Sequence, residues 1–550
     1  MNDLAGTSVG VAPPGDPADA AAALKQPRTV VAETTGLVAL SVLSPLMGLA
    51  VETALAWRFG TSPVVDAYRV AVLLVLFGQQ LFVTSVLPFV VVPIFAEYRA
   101  RGNERDAWVA TNSLGHVFLG LGVLIALCLF LFPDSATDLL APGLIGVGRS
   151  TAVFFMRWCG LAFVPLCWSG IACGILYARH VFRVAPMAQL LSNGMLLTAI
   201  VAGGRALGPA SIVIGVVGGA AASATLYAIR LAMVRRQFAP DLRAGHVDIK
   251  ALRRLLRLAG PLVAGGIIGQ VSGAVVARAL SRLAAGSLAA FGYSWKLGQI
   301  VLLIPGALST VLFPRLSEAF HSPSVAEFSE SYLKALRALF FITVPMTFLA
   351  YSLREQIVKL LLQRGAFSTS AGKLTAAMFG LLILGAPGSA AATYLERMFY
   401  ATQETTLPVM VNISCSLVAM TMVTSLAIRF GVGGIALIYM LLPWLNSTVL
   451  LVLFQYKHGG FPFRPIALFL IQTTTVACAS TWLGLRSGEW LTSFIGLGML
   501  PMLLSLACST LVTGLLYLLG GSRLGLGEAI ACRRHIARYT SYIHSFSRSH

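Results

Sequence analysis

Residues 114–132, LGHVFLGLGVLIALCLFLF, run nineteen positions without an Asp, Glu, Lys or Arg. Wound as an α-helix, such a run covers roughly 30 Å, the thickness of the hydrocarbon core of a bilayer. Within hydrocarbon each backbone N–H and C=O needs an internal partner, which leaves only helices and closed barrels. Barrel strands are short and alternate apolar with polar residues, whereas this run is apolar throughout. Comparable runs of about 18 to 25 residues recur along the chain. The composition agrees: 57% of residues are hydrophobic and 11% charged, with a mean hydropathy of +0.82, against roughly a quarter charged in a soluble domain. The chain reads as an all-α polytopic membrane protein rather than a soluble enzyme.

Working outward, about fourteen spans are expected, near 31–57, 64–94, 107–132, 151–178, 184–203, 209–229, 258–284, 288–313, 332–353, 371–400, 407–429, 433–456, 465–486 and 492–519. Residues 1–30, rich in Ala, Gly and Pro and holding Asp3, Asp16 and Asp19, have no positive start followed by an apolar core, so they read as a disordered cytosolic tail rather than a signal peptide. Of the eight cysteines, Cys128, Cys159, Cys167, Cys173, Cys415, Cys478 and Cys508 lie within apolar runs and Cys532 in the tail. None has ligand spacing, so they read as small hydrophobes, and no metal or other cofactor is expected.

Basic residues gather on alternate connections: Lys25, Arg28, Arg99, Arg101, Arg105, Arg179, Arg183, the run from Arg230 to Arg257, Lys334, Arg337, Lys457, Arg464 and the Arg-rich tail. About 26 fall inside and about 11 outside if both termini are cytosolic, as the positive-inside rule requires. The net charge of +19 is therefore a topology signal. Dispersed over separate loops without interleaved aromatics, it does not make a nucleic-acid site. In 230–257, Arg235, Arg236, Arg243, Lys250, Arg253, Arg254 and Arg257 punctuate Leu252, Leu255, Leu256 and Leu258. That is the pattern of an interfacial helix on anionic phospholipid, with an ordinary positive-inside loop as the rival reading.

An internal repeat sets the organisation. Pro93-Ile94-Phe95-Ala96-Glu97 is echoed by Pro314-Arg315-Leu316-Ser317-Glu318, Pro45-Leu46 by Pro261-Leu262, and Tyr177-Ala178 with Pro186 by Tyr400-Ala401 with Pro408. The echoes keep their order at offsets of about 216 to 223, which implies two parallel six-helix bundles. The expected lobes are 31–229 and 258–456, joined by 230–257 and followed by two extra spans in 457–519 and a basic cytosolic tail, 520–550. Parallel repeats are an architecture of secondary transporters, with substrate held between lobes that rock.

The run Phe59-Gly60 through Asp66-Ala67-Tyr68 to Val92-Pro93-Ile94-Phe95-Ala96-Glu97-Tyr98-Arg99 resembles the start of the MurJ/MviN-type lipid II flippases, members of the multidrug/oligosaccharidyl-lipid/polysaccharide exporter superfamily. The resemblance continues through Phe182-Arg183 with Pro186 and Asn193, Leu312-Phe313-Pro314-Arg315-Leu316-Ser317, Arg364-Gly365-Ala366-Phe367, Arg397 with Phe399-Tyr400-Ala401, and Trp444-Leu445-Asn446. It implies fourteen helices, the last two forming a groove for a lipid tail, in a bacterial inner membrane. It also implies transport of a lipid-linked saccharide, with cavity arginines meeting the diphosphate. At those arginine positions this chain has Pro45, Val51, Gln79, Gln80 and Trp295, while Glu52 and Asp66 keep the acidic positions.

The candidate substrate-binding residues are therefore Lys296, Glu52, Asp66, Arg69, Gln79, Gln80, Trp295 and Arg278. An ionisable group at membrane depth is costly unless paired or hydrated, so Lys296, Arg69, Arg157 and Arg278 are each candidates by default. For Arg69, Arg157 and Arg278, near span ends, snorkelling to the outer interface is the favoured expectation. Lys296 lies deeper and is expected to face the cavity, with pairing to Glu52 as the rival. Trp158, Trp168, Trp295 and Trp444 read first as interface anchors and only second as a sugar path. Gly265, Gly266, Gly269 and Gly273 read first as a helix-packing face and second as a hinge. Pro305-Gly306 and Pro387-Gly388 are candidate hinges or static kinks.

The expected function is flipping of an undecaprenyl-diphosphate-linked saccharide, lipid II by family default. The missing arginines raise the expectation of another lipid-linked glycan, such as an exopolysaccharide or O-antigen unit, and of incomplete replacement of a standard flippase. A cation-coupled drug exporter of the same superfamily would leave the last two spans unexplained. A membrane glycosyltransferase would need clustered outer acids or histidines, which are few. The coupling ion is open, and the membrane potential is one candidate driving force.

Overall fold

The computed structural model describes residues 27–85, 91–93, 95, 97–98, 103–238, 267–309, 325–402, 404–458, 463–496 and 498–534. Most of the N-terminal tail, linker positions 239–257, the end of the C-terminal tail and the repeat echoes Pro261-Leu262 and Pro314–Glu318, with Gly265 and Gly266, lie outside the described residues. The described secondary structure is entirely helical. The first half comprises α1 (Pro27–Phe59), α2 (Pro63–Gly78) with a π-helical continuation over Gln79–Ser85, α3 (Glu104–Leu131), α4 (Pro133–Leu140), α5 (Gly146–Cys159), α6 (Phe163–Ala178), α7 (Val184–Gly203) and α8 (Ala210–Phe238).

The second half comprises α9 (Ile267–Ser281), α10 (Ser287–Val301), α11 (Leu303–Ser309), α12 (Val325–Ser352), α13 (Arg354–Leu361), α14 (Thr369–Ile383), α15 (Ala386–Ala401) and α16 (Thr406–His458). Two further helices follow, α17 (Phe463–Ile495) and α18 (Met499–Arg523).

Among the described residues ten helices are long and apolar enough to cross a membrane, or twelve when each of two bent pairs is one span. The expected fourteen is not reached on that measure. As one straight rod, α16 would be about 80 Å long, more than two bilayer cores. It is interrupted at Gly431, with φ 59° and ψ −141°, between the segments 407–429 and 433–456 that the apolar pattern separates.

The repeat is visible as matched element lengths. Helices α3 and α12 both have 28 residues, and the short α4 and α13 that follow them both have 8. The pair α5–α6 and the pair α14–α15 start and end about 223 positions apart, as do Gly208 and Gly431, which share a left-handed backbone. The left-handed region is costly for a residue with a Cβ, so glycine at both equivalent turns is a sequence trace of the duplication.

Both proline pairs sit just after a break. Helices α10 and α11 meet at 44°, and α14 and α15 at 41°. The first helix of each pair ends at Val301 and Ile383, four residues before Pro305 and Pro387. A proline has no N–H for the carbonyl four positions back and its ring crowds it, so the helix stops there. Bonding resumes at once: Gly306 N–H donates to Leu302 at 3.0 Å and Ser389 N–H to Gly385 at 2.9 Å.

The boundary between the last two helices differs from the expected one. The polar stretch Arg486-Ser487-Gly488-Glu489 separates the expected spans, yet α17 runs through it to Ile495. Arg486 and Glu489 pair one turn apart at 3.2 Å on the exposed side. On the other side a Cβ at Gly484 would lie 2.1 Å from Thr513 Oγ1, and one at Gly488 2.2 Å from Ser509 Oγ, so these glycines let α18 approach. The two helices dock on α12, where Tyr517 donates to the Phe341 carbonyl at 3.0 Å and Arg337 stands 5.4 Å from the Phe469 ring centre.

Candidate functional site

The main core joins the halves: Leu55, Ala56, Val65 and Ala67 of the first are fully buried with Ala289, Tyr293 and Phe379 of the second. Hydrogen bonds between the halves gather at one end. Asp66, in the first turn of α2, accepts from the backbone N–H of Ala289 at 2.8 Å and of Gly286 at 2.5 Å. Those amides open α10, whose unpaired N–H groups and positive dipole end suit a carboxylate. With 3% of its surface exposed, Asp66 acts as an interdomain helix cap and is not presented to a substrate.

Alongside, Tyr293 donates to the Gly60 carbonyl at 2.8 Å and Ala366 N–H to the Trp57 carbonyl at 2.9 Å. Gly60 and Gly365 have φ near +60°. A Cβ on Gly60 would sit 2.3 Å from the Ala366 carbonyl oxygen, and one on Gly365 2.3 Å from that of Trp57. Both backbone conformation and contact therefore require glycine. Arg278 belongs to this end too, donating to the Leu139 carbonyl at 2.6 Å, apart from the other candidates.

Deeper between the halves, Arg69 makes a two-pronged pair with Glu52, Nη1 to Oε1 at 2.9 Å and Nη2 to Oε2. Both side chains are 13% exposed. The guanidinium lies 5.0 Å from the Tyr293 ring centre and 5.8 Å from that of Tyr68. Room for it comes from Gly292, where a Cβ would fall 2.3 Å from Arg69 Nε. The snorkelling expectation for Arg69 is thus corrected: its head turns inward because a carboxylate and two aromatic faces receive it more favourably than the interface. Arg157, in contrast, stands 5.8 Å from the Phe130 ring centre beside the exposed Trp158.

Lys296 projects from α10 into the same region. It makes no hydrogen bond or ion pair among the described residues, and it feels the charges of both Glu52 and Arg69. Its ammonium crosses to the first half over Gly48, where a Cβ would lie 2.7 Å from Nζ and 3.8 Å from Asn193 Nδ2. Glu52, the rival partner for Lys296, is taken by Arg69. A chain of amides leads on from Asn193: Gln189 donates to it at 3.4 Å, and Gln79 donates to Gln189. Gln79 opens the π-helical turn and lines a cavity of about 130 Å³ in the first half, while the neighbouring Gln80 is exposed.

Trp295 is 43% exposed. It lies against Phe291, planes 22° apart, and edge-on to Tyr439 at 5.4 Å. It borders a second cavity of about 300 Å³, within the second half, that also receives Glu396, Asn412 and Asn446. Sequence reasoning passed over Gly48, Gly292, Gln189 and Glu396. Glu396 had a legible signal, an acid inside an apolar run; the others acquire meaning only from partners far away in the chain.

Residues 55–504 match the family model described as lipid II flippase MurJ. A probable lipid II flippase MurJ of Rhizobium tropici is 24% identical over 515 residues, covering 88% of this chain and 93% of that one. Its counterpart in Rhizobium meliloti (strain 1021) is 26% identical over 443 residues, 76% of this chain and 79% of that one. Among solved structures, a lipid II flippase MurJ in an inward closed conformation aligns with TM-score 0.75 and 18% identity over 89% of this chain and 99% of that chain. An inward-facing multidrug resistance MATE family transporter of the MOP superfamily aligns with TM-score 0.65 and 16% identity over 76% and 94%. Those structural likenesses speak for the fold, and the family match extends over most of the sequence: the chain belongs to the lipid II flippase MurJ family.

Proposed function

We propose that this protein flips lipid II, an undecaprenyl-diphosphate-linked saccharide, from the cytosolic to the outer leaflet of a bacterial inner membrane by alternating access. The observation that carries the reading is Lys296: an ammonium with no ion pair among the described residues, held between two repeated halves, next to an Arg69 already neutralised by Glu52. A diphosphate leaving water needs positive charge and donors to offset its desolvation. Lys296 supplies a charge, and Gln79, Gln189 and Asn193 supply amides.

With both termini cytosolic, the Asp66, Gly60 and Gly365 contacts close the outer end, and the head group enters from the cytosolic side. The closure includes a few hydrogen bonds of about 0.5–1.5 kcal/mol each and one helix cap, beside the buried apolar residues that join the halves. Differential binding of a ligand by about 5 kcal/mol suffices to reverse a two-state population of that kind. An interior-negative potential favours outward movement of the anionic head by about 2.3 kcal/mol per charge per 100 mV. Contact of linker 230–257 with anionic phospholipid forms part of the same proposal. No step breaks or makes a covalent bond, in keeping with a transporter family.

The test is complementation of a strain depleted of its own lipid II flippase. Growth with matched membrane levels supports the reading. The absence of the family arginines at Pro45, Val51, Gln79, Gln80 and Trp295 favours, as second reading, a different lipid-linked saccharide. Failure to complement, combined with loss of another exported glycan on deletion of the gene, would establish that reading instead.

A further inference from the structure

The cavity of about 300 Å³ in the second half lies where the chain bends. Its wall includes Leu302, Ile383 and Ala386, which flank the breaks in α10–α11 and α14–α15, and it reaches α16 on its far side. Along one wall runs a polar chain whose direction is fixed by chemistry. The Glu396 carboxylate can only accept, so Asn412 Nδ2 donates to Oε1 at 2.9 Å. Asn412 Oδ1 then accepts from Asn446 Nδ2 at 2.6 Å. This leaves Asn446 Oδ1 as a buried acceptor with no hydrogen-bond partner. The relay of amides holds the Glu396 carboxylate, itself only partly buried, in a fixed orientation at the cavity. Across the cavity the indole of Trp295 is fixed by Phe291 and Tyr439 while much of its surface stays open.

We propose that this cavity is a saccharide subsite for a single pyranose ring bearing hydroxyl or acetamido groups. The C–H bonds of the ring lie on the electron-rich face of Trp295, and its donors meet the Glu396 carboxylate, which Asn412 and Asn446 hold in place. The volume is at the lower end of the range for small organic ligands. A water takes about 30 Å³, whereas pockets for small organic ligands begin at about 300 Å³. Diphosphate is disfavoured because the wall presents a carboxylate. The subsite rests on the flippase reading for its biological meaning but not for its detection, since it is read by binding alone.

The experiment is saturation-transfer difference NMR on the full chain in nanodiscs with soluble N-acetylglucosamine as probe. The expected result is transfer to ring C–H protons, with apparent affinity about tenfold weaker in Trp295→Ala, mostly retained in Trp295→Phe, and weakened in Asn446→Ala. Each variant is used only if it elutes as a single species. Three outcomes would overturn the subsite: no transfer to the wild type, transfer insensitive to Trp295→Ala and Asn446→Ala, or loss of the signal on adding millimolar sodium chloride in place of choline chloride, which would assign the cavity to a cation. Sugar binding without complementation would remove the lipid II reading and leave the subsite standing, and complementation without sugar binding would do the reverse.

Discussion

Arg69 and Glu52 form a two-pronged ion pair between the first two spans, and the same guanidinium lies over the ring of Tyr293 from the opposite half. Because both side chains are largely removed from solvent, deleting either leaves a charge without compensation. Glu52→Gln and Arg69→Gln should each destabilise the protein by about 3–5 kcal/mol, and the double substitution should cost clearly less than the sum. Thermal unfolding of the purified variants in detergent measures this. Strictly additive losses would show that the pair is not coupled.

Two glycines with the same left-handed backbone should behave differently. At Gly208 a Cβ would meet open space, so Gly208→Ala should cost only backbone strain, roughly 1–2 kcal/mol, and leave transport intact. At Gly365 the new Cβ would strike the Trp57 carbonyl, so Gly365→Ala should also disrupt closure and abolish complementation at normal membrane levels. Equal transport phenotypes would contradict the role assigned to the Trp57–Gly365 contact.

Asp66 holds the α10 terminus by accepting two backbone N–H groups. Asp66→Asn keeps the shape but loses the charge and one of the two acceptors, weakening the closure by at least about 1–2 kcal/mol, or roughly 5- to 30-fold in population. In a background lacking the eight native cysteines, maleimide labelling of Thr61→Cys from the outer side should rise accordingly. Labelling unchanged by Asp66→Asn would mean that the cap does not hold this end shut.

Much of this was legible in the residues themselves. Apolar runs marked where the long helices lie, and elements of matching length recur at about the offset of the echoes. Pro305 and Pro387 marked the bends, since proline acts on the carbonyl four residues back regardless of context. Depth singled out Lys296. The inward turn of Arg69 was not legible: an arginine near a span end ordinarily snorkels, and the space it occupies exists only because residue 292, far along the chain, is glycine. The continuation of α17 through Arg486–Glu489 was hidden for a similar reason, because Gly484 and Gly488 read as breakers until α18 supplies the hydroxyls that pack on them. Asp66 looked like a ligand for substrate because nothing local shows that the amides of α10 lie against it.

The account turns on Lys296 as the charge that meets the diphosphate. The most direct measurement is outer-leaflet lipid II, read by its cleavage with an externally added lipid II-degrading enzyme, in cells depleted of their own flippase and expressing either this chain or its Lys296→Ala variant at matched membrane levels. The account predicts that the wild-type chain restores both growth and cleavage, that Lys296→Ala lowers cleavage at least about tenfold, and that Lys296→Arg recovers part of it. No cleavage with the wild-type chain, or full cleavage with Lys296→Ala, would contradict it.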